Sequence, residues 1–183
     1  MAHASGETCP DYTMESRNDK TITNEREGLN SPERPENQQL VISPVPIQTA
    51  RAFIAWAQPH LALPAGTAFA LGVQTGDGTL AGVMLIGWPT AWAFDDGDTA
   101  EVLALATDGT SDASGVLLGA VWPLVREMGY RRLIAYTRID DPGTDLWDAG
   151  FRILPRPIGW HTGSRAGDVT RVLWAIRHAG GRR

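Results

Sequence analysis

Two apolar runs of β character, residues 67–74 and 79–86, are joined by Thr75-Gly76-Asp77-Gly78. The Asp-Gly step supplies a turn that needs positive φ, so the runs are expected to pair as an antiparallel hairpin. This hairpin places a sheet at the middle of the chain, and helical patterns flank it. Upstream, 40–42 reads as a short strand ended by Ser43 and Pro44. Ile47, Ala50, Phe53, Ile54 and Ala57 then recur at helical spacing over 46–58, with Pro46 near the first turn. Downstream, 100–107 reads as a strand and 113–128 as a helix with one broad apolar face; Pro123 is expected to kink it and Gly129 to close it. A strand at 133–137, a short helix within 143–149 and strands at 151–154 and 169–176 complete the order β α β β β α β α β β. Alternation of this kind around an antiparallel hairpin predicts an α/β chain with a mixed sheet and helices on its faces.

Residues 1–39 differ in character: they are rich in Glu, Asn, Ser, Pro and Thr, and hold a single aromatic residue, Tyr12. Such a composition buries too little surface to offset its ordering entropy, so a disordered leader is expected, followed by a domain over 40–178 and a short flexible tail over 179–183. The leader carries eight acids and four bases, which leaves only −1 of the formal charge of −5 for the rest. The one lysine, Lys20, lies in it. No clustered basic face of the kind that binds nucleic acid is present. The single Cys9 excludes a cysteine-built metal site, no His stands at metal-ligand spacing from Asp or Glu, and no metal is expected. The longest apolar run, 80–94, is shorter than the roughly 18 residues of a membrane span and contains Gly and Pro. With no signal peptide evident, a cytoplasmic protein is expected.

The stretch with most chemical content runs from Glu101 to Gly115: a buried strand, a turn of small and polar residues, and the start of the long helix. The first N–H groups of a helix lack intrahelical partners and face the positive end of its dipole, which makes an anion site. The same pattern also fits an ordinary helix capped by Ser111 or Asp112.

Here the chain resembles the GNAT superfamily of acyl-CoA-dependent N-acetyltransferases, in which the fourth strand, a turn and the next helix bind the acyl-CoA pyrophosphate through backbone N–H groups. The matching segment is Thr110-Ser-Asp-Ala113-Ser-Gly115, and Gly150-Phe151 after a short helix matches the opening of the sixth strand. A closer resemblance is to a GNAT-like family of phage and bacterial proteins, through Gly87-Trp-Pro-Thr-Ala91, Asp95-Asp-Gly97, Glu101-Val102, Thr107-Asp-Gly-Thr110, Met128-Gly-Tyr130, Tyr136-Thr137, Gly143-Thr144 and Gly159-Trp160 with Ser164-Arg165. The chain departs from that family at Ala104, Asp112 and Ser114, where Arg, Asn and Cys are usual, and at Asp145 and Trp147.

The resemblance implies a GNAT-like fold and transfer of an acetyl group from acetyl-CoA to a primary amine. It assigns the donor site to Leu105, Ala106 and Thr107 on the strand and to Thr110, Ser111, Asp112, Ala113, Ser114 and Gly115 at the helix start. Glu101 takes the place of a catalytic base, the alternative being a solvated strand-edge acid. Leu146 stands where the family's acid is a Tyr, which leaves Tyr136 as the nearby phenol, the alternative being a packed strand tyrosine. Asp95, Asp96 and Asp98 are candidates for attracting a cationic amine, or form a solvated turn. Trp88, Trp92, Trp147 and Trp160 are candidates for lining a cleft or for core packing, and Arg165 for meeting a phosphate or forming a rim ion pair. A second reading keeps the fold without the turnover: a GNAT-fold binding or regulatory module, favoured by Ala104, Asp112 and Leu146.

Overall fold

The computed structural model describes residues 39–155 and 171–177. The expected leader up to residue 38, the tail from residue 179, and Gly159, Trp160, His161, Ser164 and Arg165 lie outside the described residues. In chain order the elements are β1 (Val41–Pro44), α1 (Ile47–Ala57), β2 (Thr67–Gln74), β3 (Leu80–Gly87), β4 (Thr99–Thr107), α2 (Ala113–Glu127), β5 (Arg132–Arg138), α3 (Thr144–Asp148), β6 (Arg152–Ile153) and β7 (Arg171–Arg177). They form one seven-stranded mixed sheet in the order β1-β2-β3-β4-β5-β7-β6. Strands β1 to β4 pair antiparallel with their neighbours, β4 and β5 run parallel, and β7 lies antiparallel between β5 and β6.

The expected hairpin is β2–β3. The Thr75 carbonyl accepts from the Gly78 N–H at 2.8 Å, and Gly78 adopts φ +85°. Positive φ therefore falls on the glycine alone, as in a turn closed by a bulge rather than a two-residue primed turn, and the register shifts accordingly between Val73 and Gln74. The long apolar run after the turn becomes β3, whose residues from Ala81 to Gly87 are all buried. Its alternate side chains face two helices. Val83 and Leu85 pack with Ala50 and Ile54 of α1, while Met84 and Ile86 pack with Leu117, Val121 and Val125 of α2. A strand covered on both faces needs apolar residues without a polar alternation. A third cluster, Phe94, Ile134, Leu173 and Ala175, covers the α1 side of β5 and β7.

Helix α2 continues through Pro123, which deprives the Gly119 carbonyl of its intrahelical donor. The helix begins at Asp112, but the Asp112 side chain makes no cap hydrogen bond and its φ is +65°. The side-chain cap expected from Ser111 or Asp112 is thus replaced by a left-handed residue, whose carbonyl accepts from the Val116 N–H at 2.9 Å. Among the described residues no helix is long and apolar enough to cross a membrane.

Gly143, at φ +65°, starts α3 against the buried Trp174 indole; a Cβ there would stand 2.2 Å from Cζ2 of that ring. The Trp174 Nε1–H donates to Thr137 Oγ1 at 3.0 Å, so the ring is held in place. Gly143→Ala is expected to lower stability by about 1–3 kcal/mol from overpacking alone. Urea unfolding of the two proteins checks it, and equal midpoints would refute the fit of the glycine against the ring.

Candidate active site

The site is built on a break in the sheet. β4 and β5 pair from Thr99↔Arg132 to Val102↔Ala135 and no further, although β4 continues to Thr107 and β5 to Arg138. Each strand keeps its outer partner: β4 follows β3 as far as Thr107, and β5 follows β7 as far as Arg138. A bulge at Leu103, between Leu85↔Ala104 and Ile86↔Val102, coincides with the parting, and bulges bend the strand that carries them. Into the wedge opens a cavity of about 390 Å³, walled by β4, β5, the first turns of α2 and α3, and the loop before α3.

The cavity brings together only some of the residues expected to bind a donor. Leu105 and Ser114 line it, as do Leu118, Asp141, Asp145 and Leu146. Ala106 instead points into the core under α1, 1% exposed, because strand residues alternate between faces. Thr107 pairs with Gly82 at the end of the β3–β4 ladder. The Leu105 carbonyl accepts from Gln58 Nε2 at 3.2 Å.

At the start of α2 several groups are already engaged. The Thr110 N–H donates to Asp108 Oδ1 at 2.8 Å, the Ala113 N–H to the Thr110 carbonyl at 3.3 Å, and the Ser114 hydroxyl to Asp145 Oδ2. Ser111 and Asp112 are exposed in the turn. Gly115 is exposed, with nothing within 4 Å of where a Cβ would stand, and it does not line the cavity. The wedge suits a narrow, partly apolar arm, whereas the carboxylate of Asp145 against Ser114 opposes a negative charge at the helix start.

Glu101 lies on β4 opposite Ile134, one residue before the strands part. It is 4% exposed, so it is not the solvated strand-edge acid of the alternative reading. Its carboxylate accepts from the Thr90 N–H at 2.6 Å and lies 3.1 Å and 3.0 Å, by its two oxygens, from the Thr90 hydroxyl. Burial pushes its pKa above the ordinary glutamate value, while the Thr90 donors and the Arg171 charge restrain the rise. Tyr136 lines the cavity one residue beyond Ala135, the last residue of β5 paired with β4. Burial and the Glu101 carboxylate push its phenol well above the usual tyrosine value, so it stays protonated at neutral pH. Tyr136 also packs against the Phe94 cluster.

The acidic loop does not face this wedge. Asp96 pairs with Arg132 at 3.5 Å and Asp98 with Arg131 at 3.8 Å, at the start of β5, where β4 and β5 are still joined. Trp88 and Trp92 are exposed, and Trp147 carries the Arg152 guanidinium 4.0 Å above its ring; none of the three lines the cavity. Among the described residues no three His, Cys, Asp or Glu side chains converge on a metal position. Sequence reasoning missed Thr90, Asp141 and Leu118 as site residues. The signal for Thr90 was its place in Gly87-Trp-Pro-Thr-Ala91, a turn leaving the strand that pairs with Glu101.

The fold is that of the GNAT acetyltransferases. The structure is similar to an acetyltransferase of Bacillus subtilis solved with CoA, at 15% identity and a TM-score of 0.54, covering 76% of this chain and 99% of the other. It is also similar to a GNAT family acetyltransferase from Elizabethkingia anophelis with acetyl-CoA bound, at 19% identity and a TM-score of 0.53, covering 75% and 97%. An IAA acetyltransferase from Bacillus cereus matches at 16% identity and a TM-score of 0.52, covering 76% and 99%. The sequence matches no protein-family model and no curated protein.

The buried carboxylate has a consequence for stability. A carboxyl whose pKa is raised by folding favours the folded state while it is protonated, and that contribution is lost as pH rises through the folded-state pKa. Glu101→Gln removes the charge that must otherwise be buried. Its melting temperature is expected to gain on the wild type as pH rises from about 4.5, the ordinary glutamate value, through the raised one. Thermal denaturation across pH checks this, and a difference that does not vary with pH would exclude a perturbed Glu101.

Proposed function

We propose that the chain is an N-acyltransferase that moves an acetyl group from acetyl-CoA to a primary amine. The observation that carries this reading is the parting of β4 and β5 with a buried carboxylate and a protonated phenol beside the fork. The thioester arm would lie in the wedge along Leu105, Leu118 and Leu146, with its phosphates toward the first turn of α2 at Ser114. When bound, the thioester supplies an activated carbonyl carbon. Glu101 takes a proton from the acceptor ammonium, the freed nitrogen forms the amide bond as the carbon–sulfur bond breaks, Tyr136 gives its proton to the departing thiolate, and the second proton lost by the nitrogen restores the phenol. The polar composition of 1–39, the nearly neutral domain and the absence of any apolar span in the described helices support a cytoplasmic enzyme acting on a small molecule rather than on nucleic acid or at a membrane.

Release of free thiol from acetyl-CoA with a panel of primary amines tests the reaction. Glu101→Gln is expected to lower kcat/KM about 10²–10⁴-fold, the usual contribution of a general base. Because the base must be ionised and its pKa is raised, wild-type kcat/KM should climb with pH through a midpoint above the ordinary glutamate range. A rate for Glu101→Gln equal to wild type would remove Glu101 from the mechanism.

A specific observation favours a second reading, a binding module that has lost turnover. The hydroxyl at the helix start is occupied by Asp145, and Leu146 lines the cavity in place of a second phenol. Calorimetry with acetyl-CoA separates the two readings, since a module for another ligand gives no heat. If the donor binds, Asp145→Asn should tighten it about two- to fivefold by removing a negative charge near the helix start. An unchanged Kd would place the phosphates elsewhere.

A further inference from the structure

Glu101 is almost wholly buried, but the residue that grips its carboxylate is exposed. Thr90 reaches it with two donors, the N–H at 2.6 Å from Oε2 and the hydroxyl at 3.0 Å from Oε2 and 3.1 Å from Oε1. The segment that carries Thr90 is secured at both ends. Gly87, three residues earlier, pairs with Glu101 itself, and the Trp88 N–H donates to the Gly66 carbonyl at 3.3 Å. Phe94, four residues later, is 5% exposed in the cluster with Ile134 and Leu173, and its N–H donates to the Ala91 carbonyl at 2.9 Å. Pro89 sets φ one residue before Thr90. The chain thus leaves β3 beside Glu101, turns, and returns over the carboxylate from the solvent side.

We propose that Thr90 is a positioning residue, whose N–H and hydroxyl hold the buried Glu101 carboxylate in its charged form and fix its direction at the fork between β4 and β5. The inference rests on the reading of Glu101 as the base. An ionised carboxylate, an acceptor only, uses the N–H and the hydroxyl both as donors, whereas a protonated carboxyl could instead donate to the hydroxyl. Among the described residues, Tyr136 from β5, whose buried phenol is raised further by the Glu101 charge, and Arg171 from β7, whose charge favours the carboxylate, also act on Glu101. Neither is on the same segment as Thr90, so each can be left untouched while Thr90 is changed. A hydrogen bond to a charged group is stronger than one between neutral groups, and the hydroxyl is the removable half of this pair.

Thr90→Val deletes the hydroxyl and keeps the shape and the N–H; Thr90→Ser keeps the hydroxyl. The Glu101 carboxyl carbon is followed by ¹³C NMR titration, with its resonance assigned by its loss in Glu101→Gln. Thr90→Val is expected to titrate about one pH unit or more above wild type, and Thr90→Ser to stay near it. In the acylation assay the acid limb of the kcat/KM profile should move by the same amount. Should Thr90→Val not fold, Thr90→Ala, which lacks the same hydroxyl, is titrated in its place. A Glu101 midpoint unchanged in the folded variant overturns the proposal. If the wild type acylates no amine, the N-acyltransferase reading fails, and the titration still decides the role of Thr90.

Discussion

The structure depends on where β4 lets go of β5. Up to Val102 and Ala135 the two strands share a parallel ladder; beyond it each is held only by its outer neighbour. Backbone N–H and C=O groups on the inner edges cannot be left unpaired in a dry interior without a penalty of one or more kcal/mol each. The wedge must therefore hold water or a ligand rich in polar atoms. Gln58 at the end of α1 already answers one such carbonyl, that of Leu105, from outside the sheet. Around the wedge Leu105, Leu118 and Leu146 alternate with polar side chains such as Thr137, Asp141 and Asp145, which suits an occupant with apolar methylenes between its amides.

The same junction explains a carboxylate in the core. Glu101 faces the side of the sheet where α1 ends its cover and the Phe94 cluster begins. A charge there is expensive, and the fold offsets it with donors from Thr90 and the charge of Arg171. Because the offset is partial, the pKa stays raised, a condition suited to a group that must accept a proton near neutral pH and release it again. Tyr136 keeps its proton first because it is buried and then because of the neighbouring negative charge.

Most of the fold was legible in the sequence because its signals are local. The Asp77-Gly78 turn, the helical spacing of Ala50 and Ile54, and the apolar face of α2 each report an element without reference to the rest. The unbroken apolar run of β3 was legible as a buried strand, though not which helix each face would meet. The site was less legible. Its residues meet through breaks in regular pattern: a bulge at Leu103, a left-handed Asp112, and a turn that brings Thr90 back over Glu101. None of these has a compositional signature. Ala106 shows the opposite error, since adjacency along β4 to Leu105 suggested a shared role that strand alternation forbids.

The start of α2 carries two opposed instructions. The helix dipole favours an anion, while Asp108 and Asp145 bring acceptors to the same end and take the Thr110 N–H and the Ser114 hydroxyl. Each engaged donor is one that a phosphate must either displace or do without, and each acid adds repulsion. An anion held here would draw less from the helix than the bare geometry would allow, and on the proposed function a larger share of donor affinity would fall to the apolar walls of the wedge. Affinity located there would lie beside Tyr136, where the proposed reaction needs the carbonyl placed.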